Sequence, residues 1–188
     1  MIWLKGNSAN FNQIELVNKK QNKYAIKLSP RSYTPNNNEA SINEQEDNND
    51  IEYIEIISIG IQSVDKIKKH LLDALNEYDS SSEVNVFYFN NKTYWLDVNT
   101  RNAIYHSCEL FEKSGMTMYK LWLDDVYVML SIDNLKEFLI DLEKYAKRCY
   151  DVTAEHKAEI IKLDKIEDIL NYNISLEYPD PIELDEYI

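Results

Sequence analysis

The spacing of apolar residues changes twice along the second half of this chain, from every second residue to every third or fourth. Two pairs of runs alternate apolar and polar residues across a two-residue turn: 84–89 with 92–96 around Asn90-Asn91, and 118–123 with 126–130 around Asp124-Asp125. Because these turn residues tolerate left-handed backbone, each pair predicts a β-hairpin. A stripe at helical spacing follows each hairpin. The pattern predicts an α+β fold in which two β-hairpins pack with three to four helices.

Polar residues mark the expected ends of the helices. Ser63 precedes a helix predicted at 64–78, and Asp97 precedes one predicted at 98–113, which Gly115 ends. Asp133 precedes an apolar stripe from Leu135 to Cys149. Thr153 precedes a shorter helix, and Asp164 to Glu167 form a capping box before the last one. A side-chain oxygen at the first position accepts a hydrogen bond from an otherwise unpaired backbone N–H. These signals mark the residues at which the helices are expected to begin.

The amino-terminal residues predict β-structure interrupted by a long polar segment. Phe11 to Val17 and Tyr24 to Leu28 alternate as a hairpin, and Ile51 to Ile59 forms one further strand. Residues 29–50 are rich in Asn and acidic residues and predict a loop. We therefore expect a β-rich attachment region at 1–60 and an α+β domain at 61–188 that ends in an acidic, extended tail at 173–188. A hairpin with one extra strand is marginal in water, so we expect residues 1–60 to dock on a partner.

The charge balance constrains the partners. Twenty Lys and Arg residues oppose 33 Asp and Glu residues, which gives a formal net charge of −13. Such a surface repels phosphate, so we expect no nucleic acid and no membrane among the partners. No run reaches the roughly 18 apolar residues of a membrane span, and the first four residues are too quickly followed by polar ones for a signal peptide. We expect a soluble protein made in the cytoplasm, with other proteins as its partners.

Several chemistries lack the residues that they need. Three glycines, all far apart, cannot form a phosphate-binding loop. The three histidines and Cys108 lack the spacing of a metal site, and no serine sits in a nucleophile turn. We therefore predict no catalytic residue, no cofactor, no cofactor-binding residue and no metal ligand set. The two cysteines, Cys108 and Cys149, both fall on apolar helical faces, which predicts buried thiols and no disulfide.

Six residues are predicted to have structural roles instead. They are Trp95, Asp97, Arg101, Trp122, Leu139 and Tyr145. Indoles at the ends of the two hairpins suggest clamps where strands meet helices, with Tyr150 as a further aromatic in the same set. Asp97 and Arg101 are four residues apart and can pair on the first turn of a helix. Leu139 lies on the apolar stripe of the clearest helix, so we expect it in the core.

These residues also form an ordered series that resembles a protein family. From about residue 67 to 184 the series comprises Ser82 to Phe87, Trp95-Leu96-Asp97, Arg101, Gly115, Leu121-Trp122, Asp124-Asp125, Leu142 to Ala146, Cys149-Tyr150, Thr153, His156, Ile160 and Tyr178-Pro179. It is similar to a small phage domain of unknown function found in tail-fibre and other virion structural proteins. Residues 1–66 lie outside the resemblance. Frequent Asn, Ile, Lys and Tyr, which have AT-rich codons, suggest a phage with an AT-rich genome.

The resemblance implies a virion component without catalytic residues. On this basis we expect a bacteriophage structural protein of the tail, a fibre or the head-tail connector, which assembles in the host cytoplasm as a homo-oligomer with other virion proteins. An acidic inhibitor or immunity protein that covers a basic active site is the alternative. An enzyme is the third class considered, but the sequence contains no cluster of catalytic residue types that would support it.

Overall fold

The computed structural model describes residues 3–7, 11–32 and 50–188. These residues contain antiparallel strands and α-helices, so the predicted α+β class is confirmed. The chain divides into two compact units with interleaved segments. Unit 1 comprises Met1–Tyr78 and Ala154–Leu176, and unit 2 comprises Asp79–Thr153 and Glu177–Ile188. The predicted division at residue 60 falls inside unit 1, whose first segment runs to Tyr78.

A four-stranded antiparallel sheet forms the centre of unit 1. Its strands are β1 (Trp3–Asn7), β2 (Ile14–Asn18), β3 (Lys23–Ser32) and β4 (Asp50–Ile59), in the spatial order β1-β4-β3-β2. The strand β1 supplies the further pairing that the sequence analysis did not count, since Trp3 pairs with Ile54. The premise that the hairpin has only one additional strand is thus wrong, and β3 and β4 have neighbours on both sides.

The strand β3 extends into the predicted loop. Residues 29–32 belong to β3, although Pro30 lacks a backbone N–H. The structure accommodates this with a bulge between Leu28 and Arg31, where Ser29 has a φ of 54°. The pairing with β2 ends at Ile26, so Pro30 lies where β3 pairs only with β4 and removes no bond to a second neighbour. The remainder of the predicted loop, residues 33–49, lies outside the described residues.

Unit 1 also contains three helical segments: two helices described here and residues 154–162 of a longer helix. Helix α1 (Val64–Asp79) begins after Ser63, whose hydroxyl accepts a hydrogen bond from the Lys66 N–H at 3.3 Å, as predicted. Helix α4 (Ile166–Asn171) starts at Lys165 without a side-chain cap, so the predicted capping box at Asp164 is wrong. The N-cap residue is Lys165, one position after the predicted Asp164, and a lysine side chain has no hydrogen-bond acceptor.

Unit 2 contains the two predicted hairpins. Strands β5 (Phe87–Phe89) and β6 (Lys92–Tyr94) are shorter than the alternating runs, and β7 (Met118–Leu123) and β8 (Val126–Ser131) form the second hairpin. Asn90 and Asn91 both have positive φ, at 50° and 58°, which confirms the predicted turn chemistry. Helix α2 (Val98–Lys113) is capped by Asp97, and Gly115 has the positive φ of 83° expected beyond a helix end.

A single long helix replaces two predicted ones. Helix α3 (Ile132–Lys162) continues without a break through Thr153, which was expected to start a new helix. Its first turn is capped by Ser131, whose hydroxyl accepts a hydrogen bond from Asn134, while Asp133 lies within the helix. The predicted caps at Asp133 and Thr153 are therefore wrong. The hydroxyl of Thr153 bonds to Asp79, a distant residue, instead of capping a helix.

The predicted tail is folded against unit 2 from Glu177 onward. It is irregular, but it ends in a 3-10 helix (Leu184–Tyr187), and Leu184 is fully buried. Glu183 forms a parallel bridge with Tyr88, and the backbone N–H of Asn90 donates to Asp185. The tail is thus irregular, as predicted, up to the 3-10 helix, and both its backbone and its side chains have partners in unit 2.

Candidate functional site

The outward face of the second hairpin is the most unusual surface of unit 2. Apart from Ser131, whose hydroxyl caps α3, five side chains share this face: Met118, Lys120, Trp122, Tyr127 and Met129. Trp122 is 55% exposed, Tyr127 52% and Met129 45%. The solvent-facing side of an antiparallel sheet is ordinarily polar, whereas four of these five side chains are apolar or aromatic. We call these five residues the hairpin face.

The aromatic residues of the hairpin face hold a lysine between them. The Nζ atom of Lys120 lies 3.9 Å from the Tyr127 ring centroid and 4.5 Å from the Trp122 ring centroid. The two rings are 5.2 Å apart at a tilt of 56°. The ammonium group meets the electron-rich faces of both rings, which limits the motion of all three side chains. The three side chains are therefore packed against one another without a partner.

Trp122 differs from its expected role. Its sequence position predicted a clamp in the core, but the register of the hairpin directs Leu121 and Leu123 inward and leaves the indole outside. Each face of β7 carries apolar or aromatic residues, so the composition of the strand does not show which face is buried. The pair of leucines, which have no polar atom, is the signal that could have identified the buried set.

A groove adjoins the hairpin face at Trp122. It has a volume of about 320 Å³ and is lined by residues of both hairpins and of the segment before β5, including Ser82, Asn85, Thr93, Tyr94, Trp95 and Trp122. Asp124, at the tip of the second hairpin, also lines it. This volume lies at the lower end of the range for ligand clefts. The two indoles that the sequence analysis selected therefore share one groove.

Trp95 is positioned by buried neighbours on two sides. Its ring meets the Tyr145 ring edge-on at 6.2 Å, and the Tyr145 hydroxyl donates to the carbonyl oxygen of Val84 at 2.6 Å. The Arg101 guanidinium carbon lies 5.3 Å from the Trp95 ring centroid. Tyr145 and Arg101 are both buried, which supports the predicted structural role of both.

The expected pair of Asp97 and Arg101 is replaced by two separate interactions. Arg101 donates to Glu143 through Nε and Nη2, at 2.8 and 2.6 Å, and to the Leu96 carbonyl oxygen at 2.6 Å. Asp97 accepts hydrogen bonds from Thr100 and Asn99, and those from Thr100 do most to lower the pKa of its carboxyl. The pairing prediction is wrong because the cap geometry turns the carboxylate toward the helix N–H groups.

Two further predicted residues divide between core and surface. Leu139 is buried on α3, as expected, whereas Tyr150 is exposed on the same helix. Both cysteines are free and buried, which confirms the expected thiols. Burial raises the pKa of Cys108 and of Cys149, so neither favours the thiolate that a nucleophile needs.

The histidines are occupied by separate contacts. His70 lies 3.1 Å from the Ser58 hydroxyl, and burial is the main cause of its lowered pKa. His106 lies beside Glu109, and His156 contacts the Tyr172 hydroxyl and the Leu176 carbonyl oxygen. Within residues 3–7, 11–32 and 50–188, no three His, Cys, Asp or Glu side chains come together in a way that could hold a metal ion. No helix in the described part of the chain is long and apolar enough to span a membrane.

Comparisons with protein-family models, with curated proteins and with solved structures found no match to this chain. The candidate site thus rests on the geometry of unit 2. The hairpin face and the groove offer aromatic, thioether, amide and hydroxyl groups, which suit the binding of another molecule through apolar contact and hydrogen bonds.

Proposed function

We propose that this chain is a non-enzymatic structural subunit of a bacteriophage virion, located in the tail, a fibre or the head-tail connector. It acts through protein-protein contacts with other virion proteins and with copies of itself. The observation that carries the proposal is the exposed hairpin face. The ordered motifs between residues 67 and 184 resemble a phage virion domain and support the same conclusion.

The composition of the hairpin face is that of a protein interface. Tryptophan and tyrosine are the residues most enriched among interface side chains whose truncation weakens binding. Methionine adapts to irregular partner surfaces, and here Met118 and Met129 flank the aromatic pair. Burying such side chains contributes roughly 25 cal/mol for each Å² of apolar surface removed from water. The face therefore favours association over exposure.

An acidic inhibitor or immunity protein remains the second candidate because of the net charge of −13. Such a protein would use carboxylates to cover a basic active site and would bind more weakly as salt increases. Gene neighbours separate the two candidates. Flanking portal, capsid or tail genes favour the virion role, and a flanking toxin gene favours the inhibitor.

Incorporation into particles tests the proposal. We expect the chain to co-purify with particles of the phage that encodes it, at a fixed number of copies, as measured by quantitative mass spectrometry. Met129→Glu should reduce incorporation, because it places a charge in the hairpin face. The fold should survive, since Lys120 lies directly opposite and can pair with the new carboxylate.

Ile140→Glu is the matched control. Ile140 is 44% exposed, nearly the same as Met129, and it lies on α3 away from the hairpin face. Its incorporation should equal that of the parent chain. Absence of the chain from purified particles, or equal incorporation of the Met129→Glu chain, contradicts the proposal.

A further inference from the structure

We propose that the groove beside the hairpin face binds a basic, proline-rich segment of a partner protein in the polyproline II conformation. The inference rests on the proposed function and names the chemistry of one partner. Its starting point is the set of rings in the groove: two indoles, Trp95 and Trp122, and the phenol ring of Tyr94.

Flat apolar rings suit proline. A polyproline II helix has three residues per turn and no internal hydrogen bonds, so pyrrolidine rings can pack on aromatic faces while the carbonyl groups remain available as acceptors. The groove provides donors for those carbonyl groups. Among its lining residues, the two indoles, Tyr94, Ser82 and Thr93 each carry an N–H or O–H group of this kind.

Residues that line the groove are held by contacts with neighbouring side chains and backbone. Tyr94 packs against Phe87 at a centroid distance of 6.0 Å, and Trp95 packs against Tyr145. Asn85 is fixed at the other side, because its amide donates to the Asp79 carbonyl oxygen at 2.6 Å and to the Ser81 carbonyl oxygen at 3.3 Å. Both partners would then be ordered in advance, which lowers the entropic cost of association.

The charge at the groove selects a basic segment. Asp124 is the one charged side chain that lines it, and Asp125 follows in the same turn. Among the described residues, no ion pair is found to either carboxylate. Lysine or arginine next to the prolines would complement this charge, and the net charge of −13 would attract such a segment from a distance.

The same charges disfavour other occupants. No Lys or Arg lines the groove, and the nearest cations, Lys120 and Arg101, are engaged with the Trp122 and Trp95 rings, so a nucleotide or another phosphate has no counter-charge inside it. A second copy offers Pro179-Asp180-Pro181, which is acidic and would be repelled. A neutral saccharide could stack on the indoles, but the groove continues at Trp122 into the hairpin face, where exposed Met118 and Met129 suit polypeptide side chains.

Calorimetric titration of the full chain with a synthetic peptide tests the inference. The peptide is a dodecamer with prolines at PxxP spacing and an arginine near each end. One control replaces its prolines with alanine, and a second replaces its arginines with glutamate. We expect saturable one-to-one binding of the first peptide and affinities at least about tenfold weaker for both controls.

Variants of the chain locate the contact. Trp122→Ala should weaken binding at least about tenfold, and Trp122→Phe should recover part of the loss by restoring a ring. Asp124→Asn should weaken binding of the arginine peptide and flatten its salt dependence. Asn tolerates the positive φ of 51° at this position, so the turn is kept. Tyr150→Ala, which removes an exposed aromatic on α3, should leave binding unchanged.

Three results overturn the inference: no saturable binding by a panel of basic proline-rich peptides, binding that is unchanged in Trp122→Ala, or saturable binding of a neutral oligosaccharide with none of the peptides. The proposed function is judged separately by Met129→Glu, because Met129 does not line the groove. If no peptide binds but the Met129→Glu chain is not incorporated into particles, the proposed groove ligand is wrong and the proposed structural role is still supported.

Discussion

The hydroxyl of Thr153 donates a hydrogen bond to Oδ1 of Asp79 at 2.6 Å, which joins the first and last residues of the longer segment of unit 2. The Tyr178 hydroxyl lies 2.8 Å from the same Thr153 oxygen. Because the single Thr153 proton goes to the carboxylate, Tyr178 is the donor in this second bond. The two segments of unit 2 are thus bonded to each other at one buried hydroxyl.

Thr153→Val should lower the free energy of unfolding by about 1–3 kcal/mol. Valine keeps the shape but leaves the hydrogen-bonding groups of Asp79 and Tyr178 without the buried hydroxyl. Urea denaturation followed by circular dichroism measures the change. Ser107→Ala is the control, because its hydroxyl bonds only to the carbonyl oxygen one helical turn earlier, on the exposed surface. Equal losses in the two variants would show that the Thr153 bond has no special role.

Leu139→Ala should lower the free energy of unfolding by about 2–5 kcal/mol, as a cavity in a packed core does. Leu139 is buried on α3, whereas Ile140 next to it is exposed. Ile140→Ala should therefore change the stability by less than about 0.5 kcal/mol. Thermal melts of the two variants check the contrast. A Leu139→Ala chain that melts like the parent would mean that this face of α3 is not core.

Tyr187 should titrate above the ordinary range of a tyrosine. Burial and the hydrogen bond that its hydroxyl donates to Asp141 raise the pKa of Tyr187 to about 12. The folded pKa lies above the unfolded value of about 10, so this group contributes stability that is complete below pH 10 and is lost as the pH rises through 12. Tyrosinate absorbance of the parent minus that of Tyr187→Phe isolates its titration.

The Tyr187 prediction has a second variant and a control. Asp141→Asn removes the carboxylate and should bring the pKa of Tyr187 closer to its ordinary value. Asp151→Asn removes a carboxylate that pairs with Lys147 and should leave the late titration unchanged. A difference curve centred near pH 10 in the parent would contradict the arrangement of Tyr187 and Asp141.

The two thiols should resist modification in the folded chain. Cys108 and Cys149 are buried, and burial raises the pKa of both, so the reactive thiolate is scarce at neutral pH. A disulfide reagent with a coloured leaving group should react slowly with the native protein and with two thiols per chain in denaturant. Rapid reaction of the native protein would show that one thiol is accessible.

The backbone amides of β3 and β4 should exchange slowly in the isolated protein. Each of these strands has a neighbour on both sides, whereas β1 and β2 lie at the edges of the sheet. Hydrogen exchange with mass spectrometry distinguishes the central strands from the edges. Fast exchange throughout residues 1–60 would revive the expectation that this region becomes ordered only on a partner.

Some features with local causes could be predicted from the sequence, but the helix starts expected at Asp133, Thr153 and Asp164 were wrong. Features with distant causes could not be predicted. The Asn90-Asn91 turn and the Asp97 cap depend on residues within three positions, and both were expected. The bond of Arg101 to Glu143 joins residues 42 positions apart, so a nearer partner was favoured in its place. The candidate site was found in part: both of its indoles were selected, but Trp122 was assigned to the wrong side of its strand.

The interleaved segments of the two units have a consequence for inheritance. Ala154–Leu176 belongs to unit 1, where the Ile174 N–H donates to Ser29 and the Gln13 amide donates to Asn171. A single genetic crossover after Tyr78 would exchange unit 2 but would also replace these residues with those of another lineage. The two units must therefore be transmitted together, or recombination must occur at several points at once. Recombination among related genomes should therefore exchange the coding sequence of this chain as a whole.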